Sequence, residues 1–197
     1  VAVSLALSVV EPYSSGLGGG AFMVIRMGSK TTTWDFREVA PAAATRDMFL
    51  KNGRVVRGRS TVSALAAGIP GLVRGLSVVH KKYGKLPWKD VVRPAFLLAY
   101  AGFIVTPRLH RAIQGSASKM NSAARSVFMV GGKPPAVGSR LRQPDLAWTL
   151  KRIRDRGADD FYQGDVAKRL VKAVRKQGGI WTLQDLKNYR VKERPPV

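Results

Sequence analysis

AFMVIRMGSKTTTWDFR, from Ala21 to Arg37, reads as a β-hairpin and decides the fold. Two runs rich in β-branched and aromatic residues flank Gly28-Ser29, a two-residue turn signal. The first run, Ala21 to Met27, is apolar almost throughout, so both of its faces are expected to be covered. The second, Thr31 to Arg37, alternates. Trp34 and Phe36 fall on one side; Thr33, Asp35 and Arg37 fall on the other.

Upstream of the hairpin stand the glycine cluster GLGGG (Gly16 to Gly20), Ser14-Ser15 and Pro12. The opening VAVSLALSVV is apolar. It lacks an initiator Met, a basic n-region and a small-residue cleavage site, so it does not read as a signal peptide. It is also too short to span a membrane. It is expected to be the back half of a buried helix that Pro12 stops, which would make the chain a fragment.

Downstream the period changes from two to that of a helix. Leu72, Leu76, Val79 and Tyr83 recur at helical spacing between Pro70-Gly71 and Gly84. PWKDVVRPAFLLAYAGF is helical in pattern, with Pro94 expected to divide it and Gly102 to end it. Residues 115–142 are less regular, and GGKPP (Gly131 to Pro135) is a loop signal. Pro144 opens a helix with Leu146, Leu150 and Ile153 as its apolar stripe. A further helix turns Val166, Leu170, Val171 and Val174 inward, and Lys168, Lys172, Arg175 and Lys176 outward. Gly178-Gly179 ends it. Thr182 and Asp185 have capping-box spacing. RVKERPPV, at the end, is a further strand candidate. Strands and helices are segregated, which indicates an α+β class.

Composition narrows the function. The 197 residues include 34 Lys+Arg against 12 Asp+Glu, a formal charge of +22, and no cysteine. Disulfides and thiolate metal sites are thereby excluded from this stretch. The two histidines, His80 and His110, lie far apart, which argues against a histidine metal site. The basic balance raises a nucleic-acid or anionic-surface partner. The charges, however, run from Arg26 to Arg194 with no long basic block, and this favours solvated basic faces over a dedicated nucleic-acid site.

Two local features could carry chemistry. Gly16, Gly18 and Ala21 satisfy G-x-G-x-x-G/A, but a dinucleotide site needs a strand before and a helix after, and here the order is reversed. The alternatives are a close-packed turn that only glycine permits, or a backbone surface lying against a larger active site. Arg37 closes a strand beside Asp35 and Glu38. It is either a structural ion pair or a clamp that holds a carboxylate by two parallel hydrogen bonds. Ser60, Thr61 and Ser63 are hydroxyls without a His-acid arrangement. Asp159-Asp160 and Asp165 read as helix-start acids.

Five segments, in order, resemble γ-glutamyltransferases: GLGGGAFMVIR, WDFREVAPAAATRDMF, GIPGLVRGLSVVHKKYGKLPWKDVVRPAFLLAYAGFIV, GADDFYQG and GGIWTLQDLKNYRVKERPPV. DFRE-x-AP and the G-x-PG…YG-x-LP segment are the most specific. The resemblance implies an N-terminal-nucleophile hydrolase whose precursor cuts itself into a large and a small subunit. The freed N-terminal Thr of the small subunit is then nucleophile and, through its amine, part of the base. The implied substrates are glutathione and other γ-glutamyl compounds, and water, amino acids or peptides accept the γ-glutamyl group. The implied fold is a four-layer αββα sandwich, to which a hairpin followed by helices would contribute. Residues 1–197 would be a partial large-subunit region. The catalytic Thr would lie outside this chain, so the isolated chain is expected to be inactive. By motif match, Arg37 would bind the α-carboxylate of the γ-glutamyl group, and the small subunit would be the partner. No metal or cofactor is implied, and a periplasmic or extracellular location is the family expectation. A related β-lactam acylase or poly-γ-glutamate-processing enzyme is the near alternative. A basic module for nucleic acid or anionic surfaces is the distant one. The motifs leave the charge of +22 unexplained.

Overall fold

The computed structural model describes residues 1–196. In chain order the elements are α1 (Ala2–Val10), α2 (Pro12–Ser15), β1 (Ala21–Met27), β2 (Lys30–Phe36), β3 (Leu50–Lys51), β4 (Arg54–Val55), α3 (Leu72–Tyr83), α4 (Trp88–Ala101), β5 (Phe103–Ile104), α5 (Pro107–Ser116), α6 (Ser122–Phe128), β6 (Arg140–Leu141), α7 (Pro144–Arg156), α8 (Asp159–Gln163), α9 (Asp165–Lys176), α10 (Leu183–Asn188) and β7 (Lys192–Arg194). The class is mixed α+β, as expected. No helix of the described residues is long and apolar enough to cross a membrane.

The chain forms two compact units, Val1–Gly16 with Leu86–Asp155, and Leu17–Lys85 with Arg156–Val197. In the first, α1 packs on α4, and Leu5, Val9, Val92, Ala95 and Ala99 lose all or nearly all contact with solvent. Gln143, itself buried, donates from Nε2 to the Val9 carbonyl at 2.8 Å, one of the acceptors a helix end leaves unpaired. Pro12 follows the end of α1, and it also opens the short α2. Pro94 does not divide its segment. It lies inside a continuous α4, where buried Val91, Val92, Ala95 and Ala99 on both sides of it outweigh one lost backbone bond. The stretch 115–142 contains one helix the periodicity did not disclose, α6, which Asn121 caps by accepting from Ala124 N–H at 2.9 Å.

The second unit is built on an antiparallel sheet ordered β1-β2-β7. Gly28, at φ 61°, makes the two-residue turn of the hairpin, and β1 and β2 pair from Met27↔Lys30 to Ala21↔Phe36. The expected C-terminal strand forms over Lys192–Arg194 and pairs antiparallel with β2; Val197, the last residue of that expectation, lies outside the described residues. The alternation of β2 holds, with Thr32, Trp34 and Phe36 buried. Helix α3 covers this face. Tyr83 meets Trp34 edge-on at 6.4 Å between ring centres, and its hydroxyl lies 3.0 Å from Thr32 Oγ1.

The expectation that β1 is covered on both faces does not hold among the described residues. Ala21, Met23 and Ile25 share the face of Trp34 and Phe36 and are partly buried. Phe22 and Val24 face the other way and remain 63% and 66% exposed. Their apolar character made the strand look two-sided, but α3 covers one face only.

A second hairpin, β3-β4, turns through Asn52 and Gly53 at φ 52° and 73°. This is the Asn-Gly turn with two positive φ angles. The capping box is present: Thr182 Oγ1 accepts from Asp185 N–H at 3.1 Å, and Asp185 Oδ2 accepts from Thr182 N–H at 2.8 Å. Of the expected inward positions of α9, Val166 is fully buried, and Leu170, Val171 and Val174 are half-buried.

Candidate functional site

The end of β2 is held by backbone contacts that only glycine allows. A side chain at Gly20 would collide with the Phe36 carbonyl, Arg37 Cα and Glu38 N. One at Gly71 would strike the Phe36 carbonyl and the Tyr189 hydroxyl. One at Gly75 would enter the Phe36 ring. The Gly19 carbonyl accepts from Gly71 N–H and Leu72 N–H, both at 3.0 Å, and so caps α3. Within the glycine run, Gly20 is the close-packed position that only glycine permits, and its backbone lies directly against the strand end that leads into Arg37, whereas a side chain at Gly18 would meet open space.

Arg37 follows the last residue of β2. Its N–H donates to Asp35 Oδ1 at 3.1 Å, and its carbonyl accepts from the Tyr189 hydroxyl at 2.8 Å. Beyond it, Val39 and Ile69 exchange backbone bonds of 3.2 and 2.8 Å, which steer the chain away from the sheet. The backbone of Arg37 is thus fixed on both sides, while its side chain is 56% exposed.

The ionic pairing around Arg37 is specific. Asp35 Oδ2 accepts from Arg194 Nε at 2.9 Å and Nη2 at 2.7 Å. The Arg194 guanidinium, helped by the Arg37 N–H, holds the Asp35 carboxyl below its ordinary value. Asp35 is thereby engaged by Arg194 from β7 and not by the Arg37 side chain. Arg37 keeps one ion pair, Nε to Glu38 Oε2 at 3.4 Å. Among the described residues its two terminal nitrogens have no hydrogen-bond partner, so the guanidinium fork is available to a carboxylate. The structural ion pair and the available clamp coexist on different nitrogens of the same side chain.

Tyr189 is the supporting residue that sequence reasoning missed. It is almost fully buried and stacks on Tyr162 with 5.9 Å between ring centres. Burial, then the negative charges of Asp35 and Glu38, push its phenol up to about 12, so it stays protonated and donates to Arg37. Tyr162 in turn donates to the Pro70 carbonyl at 2.9 Å and accepts from Arg74 N–H at 3.0 Å. Its phenol is raised by burial. The available signal was Gly71, just before α3, where the Tyr189 hydroxyl comes too close for any side chain.

The remaining candidates take local roles. Thr61 Oγ1 and Ser63 Oγ donate to the carbonyls of Gly58 and Arg59. Asp159 begins α8, as read, and pairs with Arg74 Nη1 at 2.6 Å. His110 Nδ1 lies 2.8 Å from the Pro135 carbonyl.

Residues 1–197 match the family model described as Gamma-glutamyltranspeptidase. The chain belongs to the gamma-glutamyltranspeptidase family. It is 42% identical to the glutathione hydrolase proenzyme of Escherichia coli K12, over 100% of this chain and 35% of that protein. The solved gamma-glutamyltranspeptidase of Helicobacter pylori superimposes on all of it with a TM-score of 0.97 at 39% identity, covering 58% of that chain. The Bacillus anthracis transpeptidase CapD superimposes with a TM-score of 0.83 at 34% identity, covering 61% of that chain. The chain spans about a third of the length of the curated relatives it matches.

Proposed function

We propose that this chain supplies the carboxylate-binding side of an active site that transfers and hydrolyses γ-glutamyl groups of glutathione and other γ-glutamyl amides. The observation that carries the reading is Arg37: a guanidinium on a fixed backbone, with two terminal nitrogens unengaged. Its fork donates two parallel hydrogen bonds to the substrate α-carboxylate, which sets the γ-amide at a defined distance from the nucleophile. Glu38, on Arg37 Nε, keeps the fork oriented. The nucleophile is a Thr outside this chain, on the small subunit of a self-cleaving precursor. Water, an amino acid or a peptide then takes the acyl group. In this reading residues 1–197 are part of a large subunit, the sheet and helices belong to a four-layer αββα sandwich, and the chain alone turns over no substrate.

The test is Arg37→Ala in the full-length enzyme. The loss in kcat/KM for a γ-glutamyl anilide should correspond to about 2–5 kcal/mol, the scale for removing one member of a charge-assisted pair. Self-cleavage should be largely retained. Wild-type kcat/KM in the variant would reject the assignment. Similarity to the cephalosporin acylase of Bacillus halodurans, at 26% identity, favours one second reading, a relative with another acyl specificity such as a β-lactam acylase or a poly-γ-glutamate-processing enzyme. A side-by-side assay on γ-glutamyl anilide, poly-γ-glutamate and glutaryl amides decides between the two.

A further inference from the structure

An open groove of about 410 Å³ lies in the second unit, between α3, α8 and the turn after α10. Three cations line it, Arg74, Lys187 and Arg190, against one acid, Asp159. This balance differs from the ion pairs elsewhere in the chain. Asp35 takes Arg194, Glu193 takes Lys82, and Asp155 takes both Lys151 and Arg154. In the groove, Asp159 is committed to Arg74 Nη1, and the Lys187 ammonium has no partner among the described residues.

Both guanidinium groups are held in place with donors to spare. Arg74 is 18% exposed and lies 4.4 Å over the Tyr162 ring, with Nη1 on Asp159 and Nη2 unengaged among the described residues. Arg190 Nη1 donates to the Lys187 and Tyr189 carbonyls at 2.7 and 2.9 Å, which leaves its Nε and Nη2 unengaged among the described residues. Cations that outnumber the acids beside them repel one another, and preformed guanidinium forks suit carboxylates. Val78 and Val191 add carbon surface beside the charges.

We propose that this groove binds a small polycarboxylate, with two or more acid groups on a short carbon frame. The carbon walls favour such a ligand over inorganic phosphate, and the open mouth favours a small molecule held partly in solvent. Arg37 does not line the groove, although Tyr189 is common to both, lining the groove and donating its hydroxyl to the Arg37 carbonyl.

The experiment is calorimetric titration of the full chain with citrate in a zwitterionic buffer near neutral pH. Saturable binding should weaken about tenfold or more in Lys187→Gln/Arg190→Gln. The control, Lys172→Gln/Lys176→Gln, removes the same charge from the exposed face of α9 and should weaken it less than about twofold. Equal weakening in both pairs, or no saturable binding by the wild type, overturns the site. Inorganic phosphate binding as tightly as citrate overturns the ligand class. Should the double variant fail to fold, Lys187→Gln alone decides. Its side chain holds no partner, and unchanged citrate affinity there also rejects the site.

Discussion

At the end of β2, Gly20, Gly71 and the Tyr189 hydroxyl close on the backbone of Phe36 and Arg37. On the outer face of β1, Phe22 and Val24 stand in the open. Both regions belong to one hairpin. The first is specified by the absence of side chains, because backbone meets backbone there. The second is specified by side chains that nothing in the described chain covers. The contrast indicates where substitutions should be felt. A methyl group added at the strand end has nowhere to go, whereas a change on the outer face of β1 meets only solvent in this chain.

Gly75→Ala is the strongest way to break this contrast. Alanine is the better helix former by about 1 kcal/mol, but its Cβ would occupy the ring of fully buried Phe36. Net destabilisation of about 3 kcal/mol is expected from overpacking, read as a fall in the urea midpoint. A neutral or stabilised variant would mean that α3 can slide away from the sheet. Tyr189→Phe is gentler. It leaves the ring stack and removes the bond to the Arg37 carbonyl, at a cost of about 1–2 kcal/mol.

Acid should act on the same strand end. Asp35 titrates below its ordinary value in the folded chain, chiefly through Arg194. Its contribution is therefore complete above the ordinary carboxylate range and is lost as pH falls through the lowered folded value. Wild type and Arg194→Gln should differ in urea midpoint by less than about 1 kcal/mol at pH 6, since Arg194 is half exposed, and should converge at the acid end. A gap that widens with acid would contradict the pairing. Smallest of all is Val24→Thr on the open face, expected within about 0.5 kcal/mol of wild type. A large loss would show that this face is covered after all.

The sequence disclosed what is local. Gly28-Ser29 marked the turn, Trp34 and Phe36 marked the buried face of β2, and Thr182 with Asp185 marked the cap of α10. Arg37, closing a strand beside Asp35 and Glu38, read from its neighbours as either an ion pair or a clamp, and only the DFRE-x-AP resemblance favoured the clamp. Pairings across long separations were not legible. Asp35 and Arg194 are 159 residues apart, and Tyr189 reaches Arg37 across 152. No period or motif encodes such meetings. The outer face of β1 misled for a different reason: an apolar residue reports what it could bury against, not whether a neighbour is supplied. Pro94 misled because a local rule was applied where helix packing prevails. The Asn52-Gly53 hairpin, by contrast, is legible in its dipeptide, which supplies the two positive φ angles its turn requires.

The pairing of β7 with β2 has a consequence for biosynthesis. β2 emerges from the ribosome just after β1, which can pair with one of its edges at once, but its remaining edge waits until Lys192–Arg194 have been made. At translation speeds of about 5–20 residues per second, that interval is on the order of 10–30 s. For that time a strand carrying Trp34 and Phe36 offers unpaired backbone donors and acceptors to any passing chain. β2 thus gains the partner of its second edge only 159 residues further along the chain, and the nascent chain is open to misassembly in that window.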